Sequence, residues 1–99
     1  MDNAENELNL RLHAIADPVR RRILRSLKER GGCSLDKAEG LCATDIESRM
    51  RLSQPTISHH MGILRKAGLI EAKKIGQWMW YRRDEGALKE FVKALRENL

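Results

Sequence analysis

With 99 residues the chain has room for one small domain, which alone buries a limited share of its surface and so favours a partner. Nineteen Lys and Arg against fourteen Asp and Glu leave a net charge of +5, a balance that favours a polyanionic partner without identifying it. No apolar run approaches the length of a membrane span, and no phosphate-binding glycine loop, carboxylate pair or nucleophile–base arrangement points to an enzyme.

The N-terminal MDNAENELNL is acidic and polar where a secretory signal would be basic and then apolar, so a cytoplasmic protein is expected. From about Glu5 to Ala16 a first helix carries Leu8, Leu12 and Ile15 on one face, with Leu10 and Ala14 spilling onto a second. A helix with two apolar sides can pack on its own core with one and on a second protomer with the other. Asp17-Pro18 restarts the chain, Asp as N-cap and Pro in the first turn. The second helix, to about Arg30, buries Val19, Ile23, Leu24 and Leu27 and ends at Gly31-Gly32. Arg20, Arg21, Arg22, Arg25, Lys28 and Arg30 read as its solvated face.

The glycine-rich segment from Gly31 to Leu41 reads as a loop. Thr44 to Glu47, TDIE, matches a capping box, and a short third helix to about Arg51 turns Ile46 and Met50 inward. The turn RLS then leads into Ser53 to Gly68, SQPTISHHMGILRKAG. Here Ile57, Met61 and Leu64 make an apolar stripe, while Pro55, Thr56, Ser58, His59, Gly62 and Lys66 fall on the other side. Ser53 is placed as N-cap, Pro55 in the first turn and Gly68 as the left-handed stop. Short hydrogen-bonding side chains in the first turns reach base edges, and cations further along reach phosphates, so this is a recognition helix for the major groove. Gln54, Thr56, Ser58 and His59 are the base-contact candidates, with Arg65 and Lys66 for phosphates.

Beyond Gly68 the period changes. LIEAKKI and WMWYRR alternate around Gly76-Gln77, the pattern of a β-hairpin, or wing, whose Lys73, Lys74 and Gln77 are candidates for backbone or minor-groove contact. Trp78 and Trp80 share one face and are expected to pack the hairpin on the helices. Asp84 caps a last helix with Leu88, Phe91, Val92, Leu95 and Leu99 at spacings of three and four. The other elements already supply a core, so this stripe is expected to form an isologous seam with the first helix, through Leu8, Leu12, Leu88, Phe91, Val92 and Leu95. The fold class is mainly α with a small β-hairpin, a single winged helix-turn-helix domain spanning 1–99 in the order α-α-α-α-β-β-α.

Three stretches, ADPVRRRIL, LSQPTISHHMGILRKAGLIEAKKIGQWMWY and the apolar last helix, together resemble the ArsR/SmtB family of winged-helix repressors, over nearly the whole chain. The resemblance implies a homodimer seamed by its first and last helices. It also implies an imperfectly palindromic double-stranded DNA operator with half-sites about 34 Å apart, and transcription blocked until an effector loosens the grip. Metalloid- and soft-metal-sensing members carry ELCVCDL at the start of the third helix, where this chain has Gly40-Leu41-Cys42-Ala43-Thr44-Asp45-Ile46. Cys42 matches the first motif cysteine, Thr44 replaces the second, and the upstream loop carries Cys33 instead. The chain also lacks the carboxylate and histidine ligands that zinc- and nickel-sensing members place on the last helix, since no His follows His60.

No cofactor is needed for DNA binding on this reading. As effector, trivalent arsenic or antimony, or another soft metal ion, suits the thiolates of Cys33 and Cys42, with His13 or a water as third ligand. The alternatives are a Cys33–Cys42 disulfide formed on oxidation, with Lys37 helping to stabilise a thiolate, and two cysteines with no sensing role. A more distant alternative is a winged-helix module that binds protein and uses its basic surface for solubility.

Overall fold

The computed structural model describes residues 2–28 and 41–99. Its elements are α1 (Asn3–Ile15), α2 (Pro18–Lys28), β1 (Leu41–Cys42), α3 (Ala43–Met50), α4 (Gln54–Lys66), β2 (Ile70–Ile75), β3 (Trp78–Arg83) and α5 (Glu85–Glu97). Cys33, Lys37 and the loop that carries them lie outside the described residues.

The helix boundaries follow the chemistry of their ends. The Asp2 carboxylate accepts from the Glu5 N–H at 2.8 Å, which starts the first helix ahead of the Glu5 expected from periodicity. Asp17 Oδ1 accepts from Val19 N at 2.7 Å and Arg20 N at 3.2 Å, and Asp84 Oδ1 accepts from Ala87 N at 2.9 Å. At the end of α4, Gly68 takes φ +74°, its N–H donates to Arg65 O at 2.9 Å, and Leu69 N–H donates to Leu64 O at 3.1 Å. That pair of bonds is a Schellman stop, and it leads into Leu69, fully buried.

Two expected caps differ. Ser53 holds the N-cap position of α4, but its hydroxyl meets the Thr56 hydroxyl at 2.9 Å and makes no bond to the backbone. The capping box at Thr44 does not form, because α3 already begins at Ala43 and Thr44 lies within the first turn. The cause is β1, which runs directly into α3. This strand was not expected from the sequence: two residues are too short to display alternation. It pairs Leu41 with Tyr81 and Cys42 with Trp80, giving an antiparallel sheet of order β1-β3-β2. In the wing, Ile75 faces Trp78 across Gly76-Gln77 with Gly76 at φ +62°, and Ile70 faces Arg83 at the base.

The core joins Ile23 of α2, Ile46 and Met50 of α3, Ile57, Met61 and Leu64 of α4, Leu69, and Trp80 of β3. Each large side chain removed from water there stabilises the fold by roughly 1.5–3 kcal/mol. Trp80 packs inward as expected, whereas Trp78, near the hairpin tip, is exposed. The seam assigned to the last helix also needs correction. Phe91 is 4% exposed and belongs to this domain's own core, while Leu8, Leu12 and Leu88 are half-buried against it. Phe91, with Ala87 and Leu88, anchors α5 on the domain. The apolar surface left outward comprises Leu10, Val92 and Leu99, with Leu95 half-buried.

The turn between α3 and α4 holds Arg51 at φ 56°, a left-handed conformation that is costly for a residue with a Cβ, while its N–H donates to Glu47 O at 2.9 Å. Arg51→Gly removes that strain at an exposed position. Urea unfolding of this variant is expected to show unchanged or higher stability, by up to about 1 kcal/mol, whereas Arg51→Val is expected to lose stability.

Candidate nucleic-acid interface

α4 is fixed on one side and free on the other. Ile57, Met61 and Leu64 anchor it, and Gln54, Thr56, Ser58, His59, Gly62, Arg65 and Lys66 are all exposed. All the base-contact candidates thus occupy one accessible surface, although the Thr56 hydroxyl is shared with Ser53. Gly62 stands in mid-helix, where glycine costs about 1 kcal/mol relative to alanine. A Cβ built there meets nothing within 4 Å, so packing within the domain does not require the glycine. A bare backbone patch at the centre of the outward side lets a duplex approach closely.

On the wing, Lys73 and Lys74 are exposed and pair in register with Trp80 and Met79. As consecutive strand residues they project to opposite faces, so a duplex against one face meets one of them and passes the other at the edge. Gln77 is exposed at the tip. The other wing cations are engaged: Arg82 pairs with Glu71 at 2.6 Å and Arg83 with Glu85 at 2.9 Å. Arg65, Lys66, Lys73 and Lys74 have no ion-pair partner among the described residues, which leaves their charge available to phosphate.

Behind α4, two arginines do what sequence reasoning missed. Arg20, read as part of a solvated face, is 5% exposed. Its Nε donates to Ala14 O at 2.6 Å and its Nη2 to His13 O at 3.0 Å, closing the carbonyl end of α1. Its Nη1 lies 3.1 Å from His60 Nδ1 on α4 and 3.9 Å from Asp17 Oδ2. Arg11, 6% exposed, donates from Nε to Ala67 O at 2.9 Å, closing the carbonyl end of α4. It also pairs with Glu7 at 2.6 Å and with Glu90 of α5 at 3.6 Å. A signal existed: Arg20 lies three and four residues before Ile23 and Leu24, and Arg11 lies three after Leu8 and three before Ala14, so both fall on buried stripes.

These contacts shape the local titration. Burial lowers the pKa of His60; Asp17 pulls it back up, while Arg20 and His59 push it further down, and the net direction is down. For Asp17, burial pulls upward, but the backbone N–H groups of Arg20 and Val19 and the Arg20 guanidinium outweigh it and hold the carboxyl below its usual range.

The thiol site assembles less. Cys42 is placed by its backbone on β1, and Cys33 lies outside the described residues. Among the described residues no group of three or more His, Cys, Asp or Glu is arranged to hold a metal ion, so His13, exposed on α1, joins no such cluster. No helix among them is long and apolar enough to cross a membrane.

A helix-turn-helix whose second helix is anchored at the back and polar at the front, followed by a basic hairpin, defines a winged-helix DNA-binding protein. A helix-turn-helix domain family matches residues 15–72. An uncharacterized HTH-type transcriptional regulator of Methanocaldococcus jannaschii is 38% identical over 84 residues, covering 85% of each chain. The transcriptional repressor SdpR of Bacillus subtilis is 37% identical over 79 residues, 80% of this chain and 78% of that one. The arsenical resistance operon repressor of Escherichia coli is 37% identical over 68 residues, 69% of this chain but only 51% of that protein. Among solved structures, an ArsR-like transcriptional regulator from Rhodococcus sp. RHA1 shares the fold with TM-score 0.76 at 24% identity, over 97% of this chain and 82% of that one. A homodimeric winged helix-turn-helix DNA-binding domain from Mycobacterium bovis does so with TM-score 0.70 at 20% identity, over 99% and 87%. The chain belongs to the ArsR family of winged-helix transcriptional regulators.

Gly62→Ala is expected to raise stability by about 0.5–1 kcal/mol in urea unfolding while weakening DNA binding in a fluorescence-anisotropy titration. Unchanged binding would remove the close-approach role of Gly62. His59→Ala is expected to narrow the gap between preferred and mismatched sequences, by about 1–3 kcal/mol. Lys66→Ala should instead weaken all sequences alike and reduce the salt slope by about one. Equal, sequence-independent losses from both would contradict the division into base and phosphate contacts.

Proposed function

We propose that the protein represses transcription as a homodimer, each α4 entering one of two successive major grooves of an imperfectly palindromic operator. The observation that carries this reading is the exposed side of α4, where short polar side chains and a bare glycine are flanked by cations that have no ion-pair partner among the described residues. Contacts of Gln54, Thr56, Ser58 and His59 with bases, and of Arg65, Lys66, Lys73, Lys74 and Gln77 with the DNA backbone, follow from it. The dimer reading is supported by the outward Leu10, Val92, Leu95 and Leu99 and by the M. bovis homodimer of the same fold. With Phe91 committed to the core, the seam rests on Val92 and its outward neighbours.

A thiol-reactive effector acting at Cys42, together with Cys33, completes the proposal. It is supported by the position of Cys42 in the segment that resembles the soft-metal motif and by a relative that carries the name of an arsenical resistance repressor. The pairing of Cys42 with Trp80 gives the segment a short route to the wing, since Trp80 in turn pairs with Lys73. An effector induces only to the extent that it binds the DNA-incompetent dimer better than the competent one.

Anisotropy of a labelled duplex from the protein's own upstream region, titrated with reduced metal-free protein, tests the reading. Tight binding that weakens steeply with salt is expected, and binding indifferent to salt would favour a protein-interaction module. Arsenite is expected to release the DNA, and Cys42→Ser to retain binding but abolish release. Release that survives this substitution would rule out both metalloid and disulfide sensing at Cys42. Val92→Glu is expected to shift sedimentation from dimer to monomer; an unaltered dimer would place the seam elsewhere.

A further inference from the structure

His60 stands on α4 between the outward polar side and the buried stripe, and it is half-buried. Its Nδ1 lies 3.1 Å from Arg20 Nη1. A guanidinium only donates, so this contact requires a lone pair on Nδ1 and therefore a neutral imidazole carrying its proton on Nε2. Arg20 has little freedom to turn away. Two of its nitrogens are bonded to Ala14 O and His13 O, Asp17 Oδ2 is 3.9 Å from the third, and the residue is 5% exposed.

We propose that the Arg20–His60 contact is a positioning device for the recognition helix, and that protonation of His60 breaks it and lowers DNA affinity. The proposal rests on α4 being the DNA reader. A proton on His60 would set two cations about 3 Å apart beside a pinned guanidinium, and the more movable partner is the helix carrying the imidazole.

The charged and titratable groups facing His60 are Asp17 and Arg20 from the corner between α1 and α2, and His59 on its own helix, with ring centroids 5.5 Å apart. Among the described residues, Asp17 alone favours the proton. Burial, Arg20 and His59 oppose it, and the balance lies below the ordinary value of 6.5. The sign follows. The seated helix holds fewer protons on His60 than a helix whose His60 is released to water. Affinity is therefore full above the ordinary histidine pKa and falls as pH drops through it toward the lowered value, by at most about tenfold per pH unit for each linked proton.

The test is anisotropy of the intact protein on the labelled upstream duplex at constant ionic strength, from about pH 7.5 to about pH 5.5. Wild-type affinity is expected to fall over that range, by at most about tenfold. His60→Asn, whose amide oxygen can accept from Arg20 much as Nδ1 does but does not titrate, is expected to bind as wild type at the upper pH and to stay level or tighten at the lower. Far-UV circular dichroism at each pH confirms the fold. A wild-type curve that is flat or rises, or an Asn variant that falls in parallel with it, overturns the proposal. Should the variant not fold, the NMR titration of His60 in the wild type decides: DNA must lower its midpoint, and an unmoved midpoint overturns the proposal. Absence of binding at the upper pH removes the DNA reading itself, a result distinct from loss of the pH response.

Discussion

Two guanidinium groups hold the carbonyl ends of two helices that the fold presses into its interior. A helix end carries carbonyls with no partner in the helix, and burying them without donors costs free energy comparable to the hydrogen bonds lost. Arg20 supplies donors to the end of α1, and Arg11 supplies one to the end of α4. Both cations meet the negative end of a helix dipole and both have a carboxylate close by, Asp17 for Arg20 and Glu7 for Arg11. The consequence lies at the far side of α4. Held at its exit by Arg11 and against the α1–α2 corner by Arg20 through His60, the helix needs no contacts on its outward side. That side is left free to carry function.

Much of this arrangement was legible in the sequence because it is local. The stripe Ile57, Met61, Leu64 is a periodic signal, Gly68 is a stop that only glycine adopts cheaply, and Gly76-Gln77 between alternating runs is a hairpin turn; each takes the place expected of it. The illegible parts are those in which distant segments meet. β1 exists because Leu41 and Cys42 find β3, and its two residues carry no pattern of their own. Its direct entry into α3 then displaces the capping box expected at Thr44. Arg20 was assigned by charge to a solvated face although its spacing to Ile23 and Leu24 places it on the buried one; the acceptors that make burial tolerable belong to α1. Phe91 failed in the opposite sense. Its spacing showed an apolar face on α5 but not which body the face packs against, and the structure gives Phe91 to its own domain.

The candidate site divides in the same way. Gln54, Thr56, Ser58 and His59 were legible as candidates because they are short polar groups at the start of a helix with one apolar stripe, and all four are exposed. What holds that side at a defined angle could not be read from α4 alone, since it comes from residues more than one element away. Family membership and the fold make the chain a winged-helix transcriptional regulator. The particular arginine–histidine contact behind its reading head makes the angle of that head sensitive to chemistry that never touches DNA. The β1–β3 pairing joins Cys42 to Trp80 of the wing.

Dimethyl sulfate protection on a bound duplex shows whether the outward side of α4 reads the major groove. The reagent marks guanine N7 in the major groove and adenine N3 in the minor groove, so it separates the two. Protected guanine N7 positions are expected in two patches about 10 base pairs apart, with adenine N3 protection confined to where the wings lie. Protection at adenine N3 alone, with guanine N7 fully reactive throughout the bound site, would contradict major-groove reading by α4.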